Sequence, residues 1–461
     1  MHYLYYTILS YFSLRYFWIY FFFYYYPIYN VLSMARFGIT ALFAVSLFFF
    51  PLSLSLWAAD PQNEYGNISD YLHGIYNSDG NAGLTAFPVL NIPIGGHSEG
   101  MAGAFSAISN DVSFIDFNPA GSSMLEKSEL AFFHNNWIAD TKIESAAYAN
   151  RFGNLGVGAG IKWLYTPFTE YNYYGERVSN GYYSEGVAIL NVSYNFFSGY
   201  YFSGVSLGVN VKGAFRTMPD FTDIYGDIIA GSGSSNSALM VMADIGLLTR
   251  FNLFKGYVAR ERNTSVAIVV RNLGPPALDE ALPTSINAAI SYKPIRPVTI
   301  AFDFCLPLNL LDISLSESPY ASLGISANIV SFLSMRAGVM FKPGASRIVV
   351  GSAFSFDKIS FDVNYSLDLL TQTMQPLNRI SLSVRFDLGD SGRSRLTQRV
   401  DELYLLGLDA YSRGNIEDAK KCWEEALRLN PKYEPARESL TMLEEREKLR
   451  ERIEDLYRLD F

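Results

Sequence analysis

Beyond residue 127 the chain alternates apolar and polar positions with period two. In 154–165, Leu155, Val157, Ala159, Ile161, Trp163 and Tyr165 interleave with Gly156, Gly158, Gly160, Lys162 and Leu164. In 203–213, Val205, Leu207, Val209 and Val211 interleave with Ser206, Gly208, Asn210 and Lys212. The pattern is cleanest at 380–388, where Ile380, Leu382, Val384, Phe386 and Leu388 flank Ser381, Ser383, Arg385 and Asp387. Such alternation marks strands with two unlike faces. Fourteen segments read this way, near 128–136, 141–151, 154–165, 184–196, 203–216, 237–250, 264–272, 284–292, 297–306, 319–329, 331–342, 346–357, 359–368 and 377–388.

An even strand number suits a closed barrel, although a soluble β-sandwich alternates too. The connections separate the two. Long links at 166–183, 217–236, 273–283, 307–318 and 369–376 take turns with mostly short ones such as Phe152-Gly153 and Asp357-Lys358. A membrane barrel has long external loops and short periplasmic turns. The 251–263 link, rich in Arg and Lys, breaks the rule. A bilayer also demands closure, because an open edge would leave N–H and C=O groups unpaired in hydrocarbon. The expected fold is an all-β membrane barrel of about 14 antiparallel strands.

After Leu388 the character changes through a polar linker at 389–398. Residues 399–461 hold 12 Lys or Arg and 16 Asp or Glu, which makes them a soluble α-helical module. With an even strand count and entry from the periplasm, the module returns to the periplasm. The terminal Phe461 follows this helical stretch, so Phe386 and Leu388 are read as closing the last strand.

The first 33 residues, with Tyr20-Phe21-Phe22-Phe23-Tyr24-Tyr25-Tyr26, read as a misassigned start. From Met34 a secretory signal begins: Arg36, an apolar run from Phe37 to Leu56, then Ala58 and Ala59 before Asp60. Trp57 is unusual beside a cleavage site, and the run is also long enough for a transmembrane anchor. Residues 34–59 are taken as signal peptide. No later segment reads as a transmembrane helix.

Composition narrows the function. Aromatic residues make up 15% of the chain against 18% charged, so a water-facing surface does not account for them. The net charge of −9 removes nucleic acid as a partner. Cys305 and Cys422 are too few and too far apart for a disulfide framework or a Cys-based metal site. No phosphate loop, metal-spaced cluster or dinucleotide fingerprint appears, and no cofactor or metal is expected. Catalysis is not expected either. His134 is the lone barrel histidine, and His97-Ser98 lacks the rest of a triad.

Residues 60–127 are too weakly periodic for strands and too rich in glycine for a long helix. They contain Gly95-Gly96-His97-Ser98-Glu99-Gly100-Met101-Ala102-Gly103-Ala104-Phe105, then Asn110-Asp111, then Asn118-Pro119-Ala120-Gly121 ahead of the first strand. With this segment the chain resembles the FadL family of outer-membrane hydrophobic-compound transporters, including its PorV-like branch; the likeness spans roughly residues 84–388. The resemblance implies that the N-terminal segment is a hatch inside the lumen and that Asn118, Pro119 and Ala120 belong to it. It further implies inward transport of long-chain fatty acids or similar hydrophobic molecules. The PorV-like alternative is an outer-membrane anchor or shuttle for exported proteins. In its own right, Pro119 fixes φ and Asn118 can bond backbone groups in a turn.

Aromatic residues in two long links suit hydrophobic capture: Phe168, Tyr171, Tyr173 and Tyr174, with Phe221 and Tyr225. A girdle at the outer-membrane lipid interface suits each of them better than capture does. The C-terminal module resembles a tetratricopeptide repeat, with Leu406, Gly407, Ala419, Trp423, Ala426 and Pro431 at packing positions. Ala410 stands where an aromatic is usual, with Tyr411 one place on. A second helix near 433–445 begins a repeat that is not completed, ahead of a final charged helix. One repeat cannot bury its apolar face alone. It must pack on its last helix, on the barrel mouth, or on a periplasmic protein, and the last is preferred.

Overall fold

The computed structural model describes residues 79–137, 140–369 and 378–459. The leader reading at 1–59, the first part of the hatch segment at 60–78, most of the 369–376 link and Phe461 lie outside them. Fourteen strands form a closed barrel in which every strand pairs antiparallel with its sequence neighbours. They are β1 (Ser128–Asn136), β2 (Lys142–Phe152), β3 (Leu155–Tyr171), β4 (Arg177–Phe196), β5 (Val205–Thr217), β6 (Ala238–Phe251) and β7 (Thr264–Leu273). Then follow β8 (Thr284–Ile295), β9 (Val298–Leu308), β10 (Tyr320–Val330), β11 (Leu333–Phe341), β12 (Arg347–Phe356), β13 (Ile359–Asp368) and β14 (Arg379–Gly389). The ring closes where β1 meets β14, with Phe132 opposite Val384 and Asn136 opposite Ile380. The alternating pattern therefore finds the strands.

The barrel is inside-out relative to a water-soluble protein. On β5, Leu207, Val209 and Val211 are exposed, while Ser206, Asn210 and Lys212 are buried. On β3, Ile161 and Trp163 face out at 61% and 53% exposure, and Lys162 faces in. An apolar exterior on a closed ladder leaves no backbone group unpaired toward hydrocarbon.

One boundary differs from expectation. The 166–183 link is mostly sheet: β3 and β4 run on as a paired ladder from Thr166↔Tyr183 to Glu170↔Ser179. They reach 17 and 20 residues, against 9 to 11 in β10 to β14. Alternating Thr, Tyr, Val and Phe favour strand, and only 172–176 turns.

Past β14 the linker is shorter than read. Helix α1 (Arg393–Ser412) already starts at Arg393, followed by α2 (Ile416–Leu429) and α3 (Glu434–Leu459). Asp390 accepts from the Ser394 backbone N–H at 2.7 Å, and its bonds to Ser394 hold its carboxyl down to about 2. The second repeat and the final helix are one continuous element, because nothing between Glu434 and Leu459 breaks the helix.

The module sits at the short-turn end of the barrel, and the exceptional 251–263 link explains how. Arg260 pairs with Asp401 at 2.8 Å and lies over the Tyr200 ring, while Arg262 donates to the carbonyls of Tyr200 and Tyr201. Tyr200 packs edge-on to Tyr433, with ring centroids 5.2 Å apart. Within that link it is Arg260 that meets the module, while Arg262 holds the neighbouring backbone at Tyr200 and Tyr201. The β1–β14 closure involves no residue of the module. Removing 399–461 is expected to leave a barrel that inserts and migrates as a heat-modifiable band; failure to insert would refute this modularity.

Candidate functional site: the hatch and its seat

Residues 79–127 thread the lumen from one rim to the other. At the long-loop rim the segment is sewn to the β9–β10 loop: Asn81 Nδ2 donates to the carbonyls of Ser314 and Ser316, and Gly83 N–H to Glu317. Thr85 bridges Ala281 of the β7–β8 loop. At the other rim Arg393 of α1 donates to the carbonyls of Arg151 and Glu126, each at 2.5 Å. Between these ends the chain makes only short helical turns, such as His97–Gly100 and the 3-10 turns Val112–Asp116 and Pro119–Met124.

Irregular backbone buried away from water must find partners elsewhere. Here wall side chains supply them. Glu185 accepts from Val89 N–H, Asp303 from Ser106 N–H and Glu129 from Val112 N–H, each at 2.9 Å. Lys162 reaches in from β3 to pair with Asp116 at 2.8 Å and to donate to the Ile92 carbonyl at 2.7 Å. Asn191 donates to the Pro119 carbonyl and Asn210 to that of Ile115, both at 2.9 Å. The polar lumen face read from the strands is therefore a set of hatch anchors.

Asn118 begins the last hatch turn. Its Oδ1 accepts from Ala120 N–H at 2.9 Å and its Nδ2 donates to the Ser106 carbonyl at 2.8 Å, tying two hatch turns together. Pro119 starts the 3-10 turn, where its missing N–H is no loss. The turn lies flush on wall glycines. A Cβ on Gly208 of β5 would stand 2.3 Å from the Pro119 carbonyl carbon, and one on Gly156 of β3 2.2 Å from that of Ser122. One on Gly246 of β6 would meet Asn118 Oδ1 at 2.1 Å. Gly338 of β11 plays the same part against Met101. Only a side chain of one hydrogen permits such approach.

A charged chain ties the hatch to the closing strands. His97 bonds Asp111 at 2.7 Å, Asp111 meets Arg385 of β14 at 3.1 Å, and Arg385 meets Asp362 of β13 at 3.0 Å. Arg336 of β11 completes it. All five are buried or nearly so. Ser98 donates to the Gly95 carbonyl rather than to the His97 ring, and His134 pairs with Glu144 on the barrel exterior.

Packing is looser at the level of Leu90–Pro93. Two adjoining small pockets, each with room for about one or two waters, lie there against β7 to β12, both touching Asn91, Arg271, Cys305 and Tyr320. Apolar Ile92, Phe117 and Met340 line the second together with Asn287, Asp303 and Arg347. No group of three or more metal-ligating side chains occurs among the described residues.

The aromatic positions fall in two places. Phe168 and Tyr171 are on the β3 extension, and Tyr173 and Tyr174 are in the hairpin turn, the former 82% exposed. Phe221 and Tyr225 belong to the β5–β6 loop, which touches the hairpin through Tyr173 N–H and the Ile224 carbonyl. In the module, Gly407, Ala419, Trp423 and Ala426 pack together, and Trp423 Nε1 donates to the Tyr404 carbonyl. A Cβ on Gly407 would touch the indole at 2.3 Å, so that contact requires glycine. Leu406 and Pro431 are corrected: both are exposed, and Val400 and Leu403 fill the core instead. Tyr411 packs on Trp423, supplying the aromatic that Ala410 lacks. The repeat covers itself with α3 and Tyr200, so its core needs no separate protein.

Sequence reasoning did not single out Lys162, Asn191, Asn210, Glu185 or Asp303 as site residues. Their signal was a charged or amide side chain at an inward strand position, which has no partner in the same strand.

Residues 73–390 match the uncharacterised protein family UPF0164, and residues 400–433 match the tetratricopeptide repeat. A UPF0164 protein of Treponema pallidum (strain Nichols) is 29% identical over 392 residues, covering 82% of this chain and 87% of the relative. A second from the same organism is 25% identical over 398 residues, covering 79% and 77%. Among solved structures, the chain is similar to the Pseudomonas putida toluene transporter TodX at 13% identity and a TM-score of 0.42, covering 63% of this chain and 96% of that one. It is more distantly similar to the KdgM porin, at 11% identity and a TM-score of 0.28, covering 56% and 99%.

Proposed function

The chain belongs to the uncharacterised protein family UPF0164, and from that premise we propose that it is a FadL-like, hatch-gated barrel of the outer membrane. It admits long-chain fatty acids or similar hydrophobic molecules. One observation carries this reading: the lumen of a barrel with an apolar exterior is filled by a segment held through side chains, not built into the sheet. Such a plug can shift without unzipping the ladder. The helical module then lies in the periplasm, on the side of the short turns.

The long hairpin supports capture over girdle. A tilted strand spans a bilayer in about 9–11 residues, so the surplus of β3 and β4 lifts Tyr171, Tyr173 and Tyr174 roughly 15 Å beyond the rim. That is too far to rest among headgroups, while Trp163 stays at wall level.

Loss of the Asn118 amide removes a cap and the link to Ser106, about 1–2 kcal/mol, and loosens the hatch by roughly 5–30-fold. Saturable fatty-acid binding to residues 60–461 in folded form, weakened in Asn118→Ala, is the expected result. A demonstrably folded barrel that binds none would favour the second reading. In that reading the barrel is a PorV-like anchor, and exposed Leu405 and Leu406 of α1 recruit periplasmic proteins.

A further inference from the structure

We propose that the 251–263 link is a membrane foot, which binds anionic phospholipid head groups of the leaflet on the module's side and sets Phe254 and Val258 among the acyl chains. This rests on the outer-membrane reading above and adds a lipid preference to it. Phe254 is 89% exposed and Val258 95%, more than any other large apolar side chain of the described residues. Leu253, next to Phe254, and Ile295, next to the Arg296 that holds Val258, are exposed as well. Single apolar residues on a surface mean little, but a contiguous fringe marks something it contacts.

The fold fixes which way the fringe projects. Asn263 closes the neck of the loop, accepting from Leu253 N–H at 2.9 Å and donating to the Leu253 carbonyl at 2.7 Å. From there the loop lies over the end of β8. Tyr292 donates to the Phe254 carbonyl at 3.2 Å, and Arg296 of the β8–β9 turn to the Val258 carbonyl at 2.8 Å. Tyr292 shares its strand face with exposed Ile286 and Ile290, opposite buried Asn287 and Ser291. The loop is therefore drawn to the outer perimeter of the wall and not over the lumen. Arg260 and Arg262 turn elsewhere, to Asp401 and to the carbonyls of Tyr200 and Tyr201, and the module leaves Phe254 and Val258 uncovered.

Charge selects the lipid. Lys255, Lys293 and Arg296 stand along the fringe against one carboxylate, Glu261, which Lys293 meets at 3.5 Å. Lys255 donates to the carbonyls of Ala259 and Glu261, and Arg296 to that of Val258, so both keep their full charge. Arg296 is exposed, and the rest of its N–H fork suits the paired oxygens of a phosphate. Apolar wedges beside an excess of cations form an interfacial anchor for an anionic bilayer. A zwitterionic head group brings its own cation to the same place and gains less.

The test uses the full chain in detergent, with heat-modifiability as the folding check. Equimolar phosphatidylglycerol and phosphatidylcholine of the same acyl chains are added, and bound lipids are counted by native mass spectrometry. Phosphatidylglycerol is expected to be retained at least fivefold over phosphatidylcholine, and Lys255→Gln with Arg296→Gln to bring the two within twofold. Phe254→Ser with Val258→Ser, changes at exposed positions, should cut the phosphatidylglycerol retained by at least threefold. Lys358→Gln, in the β12–β13 turn four strands further round the ring, should leave the preference as it is. Equal retention of the two lipids, a preference untouched by either double variant, or a loss shared by Lys358→Gln overturns the inference and leaves hatch-gated transport standing. A folded barrel that retains neither lipid overturns the outer-membrane reading with it.

Discussion

Gly208→Val opens the channel. The added Cβ stands 2.3 Å from the Pro119 carbonyl, and its neighbours are hatch backbone, not a side chain that can swing aside. Overpacking of this kind costs about 3 kcal/mol or more, which moves a closed-to-open equilibrium by roughly a hundredfold. The β4–β5 and β5–β6 ladders have no need of a glycine there, since Gly208 pairs with Ser193 and Gly246 in unbroken register. The barrel should therefore still fold. Expected results are raised conductance in planar bilayers and new protease cuts within 84–125, with heat-modifiability retained. Leu207→Val, on the outward face of the same strand, should change neither. A Gly208→Val protein that stays closed would mean the hatch does not rest on this wall.

Lys162→Met should be the most damaging single change to the hatch itself. It strands the Asp116 carboxylate in the lumen and removes the donor of the Ile92 carbonyl. Breaking a buried pair from one side costs about 3–5 kcal/mol, far more than the net worth of the intact pair. Asp116 also accepts from Ile94 N–H at 3.1 Å, so its displacement loosens the chain around Ile94 as well. Hydrogen exchange over residues 88–94 should rise steeply in the variant. Adding Asp116→Asn should recover a large part of the protection, because a neutral amide no longer needs the ammonium. Equal exchange in wild type and Lys162→Met would show that the ion pair does not hold the plug. The two substitutions act at different levels: one denies the hatch its seat, the other cuts its tether.

The wall residues that make these predictions were visible in the alternation, though their purpose was not. Lys162, Asn210 and Lys212 stood out as polar members of an otherwise small inward face. A polar inward face fits a water-filled pore as well as a plugged lumen. Lys162 and Asn210 find hatch groups 46 to 95 residues away and Lys212 finds Asp244 and Asn272 across the wall, so no local pattern could pair them. The glycines behaved likewise. Gly156, Gly158 and Gly160 read as a small face, but only the folded chain shows that the hatch backbone and Ile115 press on them.

What the sequence alone determined is the set of strands, their number and the helical nature of the last sixty residues. These follow from local physics: a strand's two faces write themselves at period two, and a helix's charge density needs no partner to be read. The length of the β3–β4 hairpin escaped because none of residues 165–184 is buried, so the contrast between inward and outward positions fades there. The exposure of Leu406 and Pro431 escaped because it depends on how the three helices of the module pack. Only the tertiary structure decided where the hatch rests, which wall groups hold it and that Arg260 of the 251–263 link meets Asp401 of the module. Each of those is a contact between segments distant in sequence, set by the geometry of a closed cylinder rather than by any one strand.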